Sequence, residues 1–279
     1  MDFLFPLTHA VSESIGKTID KLNFKRNHIA SGHLIWLVFL GMSLSILSYI
    51  ILTEKPFPHL SYAGFGLMFL IAIVSFLDNV FDFASLKVND LSLREPMLDF
   101  TPILAGLIGY VLFPSERKSG FLLAFAIGAV VVYFGTHRRK LRITQKKGMF
   151  YLFMSVILAS LLPILYKWAL EHLSPEYLAL FTVLSIFILA SIFLPTNKRL
   201  TSPSKTIYGL LSGCIYAVGT VAGMYAIQKL GVVLSMLLLM LEPALKYLSG
   251  YFILREKVRK GEVISSVLLV IIVIFAIFR

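Results

Sequence analysis

Runs of about 20 apolar residues, the length an α-helix needs to cross the hydrocarbon core of a bilayer, recur along nearly the whole chain. Nine segments read as spans: Ser31–Thr53, Tyr62–Ser85, Leu93–Phe113, Ser119–Gly135, Met149–Leu170, Glu176–Pro195, Ile207–Gln228, Val232–Leu254 and Gly261–Phe278. The breaks EKPFPH, LKVND, PSERK, PTNKRLTSPSK and REKVRK carry turn and charge signals. A tenth segment, Phe3–Leu22, is apolar at Phe3, Leu4, Phe5, Leu7, Val11, Ile15 and Ile19 but also holds His9, Glu13, Lys17 and Asp20. Such a helix suits a polar interior better than lipid. Counting it gives ten.

Composition closes off the alternatives. The chain is 58% hydrophobic and 15% charged, where soluble domains carry about a quarter charged residues, so 279 residues leave little room for a soluble domain. The apolar runs are near-continuous, unlike the alternating segments of a membrane barrel, and a helix satisfies its own backbone in lipid. A net charge of +11 would suggest nucleic acid on a soluble basic face; here the basic residues sit in gaps between apolar segments, and no nucleic-acid partner is expected. The single cysteine, Cys214, excludes an intrachain disulfide and a cysteine metal cluster; its apolar surroundings predict a small buried core residue. His9 and His172 lack partners at metal-ligand spacing, and no G-x-x-x-x-G-K-[ST] loop is present. No metal, no cofactor and no P-loop ATP hydrolysis are expected. Met1–Leu22 has no basic leader and is not an ordinary signal peptide.

Lysine and arginine set the orientation. The gaps after spans 1, 3, 5, 7 and 9 hold 17 of them, including Lys21, Lys25, Arg26, Arg138, Arg139 and Lys140, and the opposite face holds 5: Lys55, Arg117, Lys118, Lys229 and Arg279. The positive-inside rule places the first set in the cytoplasm and both termini outside. The expected location is the cell membrane, crossed many times.

The chain also compares with itself. A shift of 141 residues sets TPILAGLIGYVLF (Thr101–Phe113) on EPALKYLSGYFIL (Glu242–Leu254), and Pro102, Gly109, Tyr110 and Gly120 meet Pro243, Gly250, Tyr251 and Gly261. Over residues 102–134 this gives 8 identities in 33 positions. Lys17 and Lys167 hold matching places near the ends of spans 1 and 6, with a shift of 150. The expected fold is all-α: ten transmembrane helices as two five-helix repeats, 1–136 and 149–279, joined by a basic loop at 137–148. Five is odd, so the second copy enters the membrane inverted, an arrangement common in secondary transporters.

The stretch LEPALKYLSGYFILREKVRKGE, with Pro243, Gly250, Glu256 and Gly261, resembles the second repeat of EamA-type members of the drug/metabolite transporter superfamily. TPILAGLIGYVLFPSERKSG, with Pro102, Gly109, Glu116 and Gly120, resembles the first. The resemblance implies a ten-helix alternating-access carrier whose cavity is lined mainly by spans 1, 3, 4, 6, 8 and 9. Members are commonly drawn with cytoplasmic termini, opposite to the charge count here.

A charge at the middle of a transmembrane helix costs about 2.5 to 3.5 kcal/mol on insertion scales, so each one needs a reason. Asp78 and Asp82 share one face of span 3 at i,i+4 spacing, as do Glu95 and Asp99 in span 4, preceded by Arg94. Glu13 and Lys17 lie toward the same end. The second half has Gly219 and Gly223 where the first has Asp78 and Asp82, and no Asp follows Asp99. Neighbouring buried carboxylates raise one another's pKa, which suits proton coupling at Asp78, Asp82, Glu95 and Asp99. Lys17, Asp78, Asp99, Lys167 and Glu242 are the candidates for substrate binding. The alternative for these residues is structural: interfacial placement of Asp82 and Glu95, neutralising pairs with Arg94 or Lys17, snorkelling lysines, and an internal Glu242–Lys246 pair. Gly219-x-x-x-Gly223 predicts close helix packing. Tyr166, Trp168, Tyr216 and Tyr225 are cavity aromatics or packing residues.

The sequence thus predicts a non-enzymatic secondary transporter for a small polar or amphipathic metabolite. Its partners are that substrate and the bilayer, and a homodimer stays open. Two alternatives stand beside it. One is a flippase for a lipid-linked headgroup. The other, weaker for want of a second Asp-rich motif, is an intramembrane transferase in which Asp78-x-x-x-Asp82 would hold Mg²⁺.

Overall fold

A computed structural model describes residues 2–27, 31–58, 62–88, 97–137, 146–194, 203–254 and 260–278. Among these residues the chain is helical, in ten segments: α1 (Leu4–Asn27), α2 (Ser31–Leu52), α3 (Tyr62–Val88), α4 (Phe100–Leu112), α5 (Ser119–His137), α6 (Lys146–Ala169), α7 (Pro175–Phe193), α8 (Pro203–Leu239), α9 (Glu242–Leu254) and α10 (Lys260–Phe278). A single 3₁₀ turn, Pro114–Glu116, joins α4 to α5. Among the described residues five stretches are long and apolar enough to span a bilayer, Gly32–Leu52, Gly64–Ser85, Lys147–Ala169, Pro175–Phe193 and Thr206–Leu239, and Phe100–Leu112, Gly120–Tyr133 and Ile264–Ile277 are shorter apolar helices. The polar segment Leu4–Asn27 does form a helix, and it packs against α8 and α9 with Ser14, Thr18, Asp20 and Asn23 buried. Burial within protein, away from lipid, is what lets so polar a helix sit in the bundle.

Two expected spans are broken. Val232–Leu254 is not one helix. Its first eight residues continue α8 past Gly231, and the ladder tightens at Met240 and Leu241, whose amides bond Leu237 and Leu238 at 3.3 and 3.1 Å, before α9 begins at Glu242. Pro243 has no amide proton and its ring blocks the carbonyl four residues back. The other, Leu93–Phe113, is interrupted at Asp99, three residues before Pro102, and α4 proper starts at Phe100; residues 91–96 lie outside the described ones. Both helices past the breaks are 13 residues long, about 20 Å at 1.5 Å per residue. Gly231 makes the corner between the two parts of α8 with φ 80 and ψ 174, a conformation in essence reserved for glycine.

Packing pairs α1 with α8 and α9, and α6 with α3 and α4; α2 lies on α7 and α8, α7 on α2 and α3, and α5 on α10. The α2–α8 contact is backbone to backbone, because a Cβ on Gly41 would strike Leu210 and one on Gly213 would strike Val38. Gly219 and Gly223 let α1 approach α8 at His9 and Ser12, as the GxxxG spacing predicts. Outward, α2, α3, α5, α7 and α10 present Leu, Ile, Phe and Val side chains such as Ile51, Phe69, Val130, Ile192 and Ile271, a surface suited to lipid. Cys214 belongs to that surface. It is exposed rather than buried and accepts a bond from Ser45 Oγ at 3.2 Å, because α8 turns its small-residue face, at Ser212 and Gly213, to the interior and leaves position 214 outside.

Candidate functional site

Glu13, Lys17 and Asp20 are spaced i, i+4, i+7 and so share one face of α1. That face, with Lys21, meets Ser75, Asp78, Asn79 and Asp82 of α3 and Glu242 and Lys246 of α9 around a cavity of about 340 Å³. The apolar lining includes Phe39 and Met42 of α2, Phe83 of α3, Val183 and Ile186 of α7 and Met236 of α8. The wall therefore draws on α2 and α7 as well as the helices the resemblance implied. It runs from Pro6 and His9 to Lys21, Phe83, Leu98 and Lys246, residues near the ends that face the Lys/Arg-rich gaps. Pro163 also lines it, and by lacking an amide proton leaves the carbonyl of Ala159 open to the cavity side of α6.

A chain of ion pairs crosses one wall. Glu13 lies 3.7 Å from Lys17, Lys17 3.6 Å from Glu242, Glu242 3.1 Å from Lys246, and Lys246 3.8 Å from Asp99. It ties α1, α9 and the break before α4 together, and Glu242 and Lys246 pair as their spacing predicts. The facing wall differs. Ser155 of α6 donates to Asp78 at 2.7 Å, and Ser75 and Tyr166 lie 3.5 Å apart. His9 Nδ1 sits 2.8 Å from the carbonyl of Gly219, so that nitrogen carries the proton. Asp20 receives Ser212 at 2.7 Å and Tyr216 at 2.9 Å. The α1 periodicity could have singled Asp20 out; the serines, common in apolar helices, carry no such signal.

Of the predicted site residues, Lys17, Asp78, Asp82 and Glu242 line the cavity, and Asp99, buried behind it, joins through Lys246. Glu95 lies outside the described residues. Lys167 is elsewhere, paired with Glu116 at 3.2 Å near the opposite end. Tyr166 and Tyr216 line the cavity, whereas Trp168 packs on Phe113. Among the described residues no group of three or more His, Cys, Asp or Glu side chains is arranged to hold a metal ion.

At the end opposite the Lys/Arg-rich gaps, two ties join the halves of the chain. In one, Glu116 bonds Lys167 and accepts the amide of Val233 at 2.9 Å, just past the Gly231 corner. In the other, fully buried Glu176 takes Lys55 at 3.1 Å and the hydroxyl of Tyr225, while Tyr177 donates to the Lys55 carbonyl at 2.8 Å. Phe57 sits edge-on to Tyr177 and Phe5 stacks on Tyr225. The hydrogen bond and charge of Glu176 raise the Lys55 ammonium above the ordinary lysine value of 10.5.

Residues 146–278 match the EamA-like transporter family. This half of the chain belongs to that family, within the drug/metabolite transporter superfamily. EamA-like proteins are transporters, and the apolar helices make this one a multi-pass membrane protein. A solved structure, titled only as the crystal structure of a protein, superimposes over 98% of this chain and 94% of its own with a TM-score of 0.74 at 15% identity. That likeness extends the fold, and the fold alone, to the first half. No curated protein matches the sequence.

Proposed function

We propose that the protein is an alternating-access secondary carrier for a small polar or amphipathic metabolite in the cell membrane, built from inverted repeats at 1–136 and 149–279. One observation carries the reading: a charged cavity reaches toward one face while ion-paired ties between the two halves shut the other. Two further features support the repeat. The breaks at Asp99 and Met240 fall at equivalent positions under the 141-residue shift, and interrupted helices in matching places mark the binding region of many carriers. Exchanging the halves also maps α1–α8 onto α6–α3 and α1–α9 onto α6–α4. By the charge rule the cavity faces the cytoplasm and the ties form the outer gate. Lys17, Asp78 and Glu242 contact substrate in this scheme, with Asp99 reached through Lys246; Lys167 belongs to the gate. Asp78, Asp82 and Asp99 are the described carboxylates placed to carry a coupling proton.

The test needs no known substrate. In a Cys214→Ser background, Ala159→Cys places one thiol in the cavity wall. In proteoliposomes, membrane-impermeant maleimide should label it from either side. Adding Lys55→Cys and Glu176→Cys with a bifunctional thiol cross-linker should abolish labelling from the gated side only. Labelling from one side alone before the cross-link is made, or labelling from both sides after it, would sink the carrier reading.

A further inference from the structure

Glu13 and Glu242 of the cavity wall each meet an ammonium, and so does Asp99 behind it. Asp20 is held differently. It is 4% exposed, and among the described residues its carboxyl oxygens meet hydroxyls only, Ser212 Oγ at 2.7 Å from Oδ1 and Tyr216 Oη at 2.9 Å from Oδ2. A buried carboxylate with no cation at contact distance is costly while it is ionised. The charged and titratable groups that face the same space are His9, Glu13, Lys17 and Lys21 on its own helix, Tyr216 on α8, Glu242 and Lys246 on α9, and Asp78 and Asp82 across the cavity on α3.

The local geometry satisfies this carboxyl with or without a proton. Fully buried Ser212 Oγ lies 2.7 Å from Asp20 Oδ1 and 3.4 Å from the carbonyl oxygen of Gly16, one turn earlier on α1. A hydroxyl has one proton to donate and lone pairs to accept with, so Ser212 serves one of these oxygens at a time. With Asp20 ionised, Ser212 and Tyr216 both donate to it. When Oδ1 gains a proton, that O–H donates to Ser212 Oγ, and Ser212 turns its own proton to Gly16. Tyr216 goes on donating to Oδ2. Neither state strands a buried polar group, so the site can take up and release a proton without being rebuilt. Gly16 makes room for the arrangement, because a Cβ there would strike the Tyr216 ring. The two states differ in strength, since hydrogen bonds to a charged carboxylate are about twice as strong as neutral ones. Asp20 belongs to the first half of the chain and Ser212 and Tyr216 to the second, so ionisation tightens α1 on α8 and protonation loosens it.

We propose that Asp20 is a proton-binding site, additional to Asp78, Asp82 and Asp99, and that a proton taken up there from the cavity loosens the α1–α8 joint and favours opening of the gate. This rests on the carrier reading and names a site that regulates it. Asp20 is the titrating group; Ser212 and Tyr216 are positioning residues.

The test needs the purified full-length protein and protons alone. The protonated-carboxyl band is followed by infrared spectroscopy from about pH 4 to 9. Asp20→Asn should remove one titrating carboxyl relative to the parent and leave a cooperative melt. Ser212→Ala keeps the carboxyl but removes the hydroxyl that serves both states. It should move the midpoint by about one pH unit, the worth of one hydrogen bond to a charged group. Should Asp20→Asn not fold, the Ser212→Ala shift still decides the matter. The link to the gate is read in proteoliposomes of the Cys214→Ser, Ala159→Cys protein, as maleimide labelling from the gated side relative to the cavity side at the same pH, which cancels the thiol's own titration. That ratio should rise about five-fold as pH falls through the midpoint, at the low end of ordinary coupling between sites, and Asp20→Asn should hold it high at every pH. No carboxyl lost in Asp20→Asn, a midpoint that Ser212→Ala leaves in place, or two-sided labelling whose ratio ignores pH would overturn the proposal. Labelling from the cavity side alone at every pH, with the Asp20 band still titrating, would instead break the carrier reading, so the two failures are distinct.

Discussion

The gate and the cavity use the same residue types to opposite ends. At the gate, carboxylates are matched one to one with lysines and topped up with a tyrosine hydroxyl or a backbone amide. In the cavity, Glu242 is shared between Lys17 and Lys246 in a chain that runs on to Asp99, and the buried hydroxyls of Ser235 and Thr101 lack partners. A carboxylate held by a lysine and a further donor on another element ties those elements together, whereas groups that line a cavity can be reached by a ligand. The contrast separates residues whose loss should cost stability from those whose loss should cost binding.

The largest stability effect should follow Glu176→Ala, which strands the Tyr225 hydroxyl and takes the carboxylate from Lys55. A loss of about 3 kcal/mol is expected, at the low end for breaking a buried pair because Lys55 is partly exposed; unfolding in detergent would measure it. Gly231→Ala should cost about 2 kcal/mol, since the residue would need a strained backbone and its methyl would meet the Glu116 carboxylate. Maleimide labelling of Ala159→Cys from the gated side should rise in that variant. By contrast, Asp78→Asn should change stability by less than about 1 kcal/mol, as an amide still accepts from Ser155, yet weaken ligand binding ten-fold or more. If it destabilises as much as Glu176→Ala, the division between gate and cavity fails.

The smallest effect is a pH dependence. Lys55 has a raised folded-state pKa, so its contribution is fully present below the unfolded value of 10.5 and disappears as pH rises through the folded value. Melting temperature should therefore fall more steeply above pH 10.5 in the parent protein than in Lys55→Met. Parallel curves would show that the lysine charge contributes nothing to closure.

Hydropathy was enough to read the helices, because a bilayer tolerates few other solutions. The i,i+4 rule likewise gave the Glu242–Lys246 pair, a local relation. Two things were not legible. The helix breaks depend on how the ladder ends ahead of Pro102 and Pro243, and hydropathy alone does not record that. Lys167 was matched with Lys17 by position in the repeat, yet one sits in the cavity and the other at the gate. Under the inverted repeat proposed above, equal positions point to opposite faces, so similarity of place in sequence would be dissimilarity of depth. Glu116 stood out as a family marker, but its bond to the Val233 amide joins residues 117 apart, a relation no local pattern reveals.

The break at Asp99 makes α4 a short stiff rod with its two ends in different regions. One end abuts Asp99, held by Lys246 of the cavity network; the other runs through Phe113 straight into Glu116 of the gate. A rod of about 20 Å pivoting by ~10° about its inner end swings its tip by about 3 Å. The Glu116–Lys167 and Glu116–Val233 contacts are 3.2 and 2.9 Å long. Under the proposed carrier reading, a displacement of Lys246 that tilted α4 would be large enough at the far tip to unlatch the Glu116 contacts at the other side of the membrane.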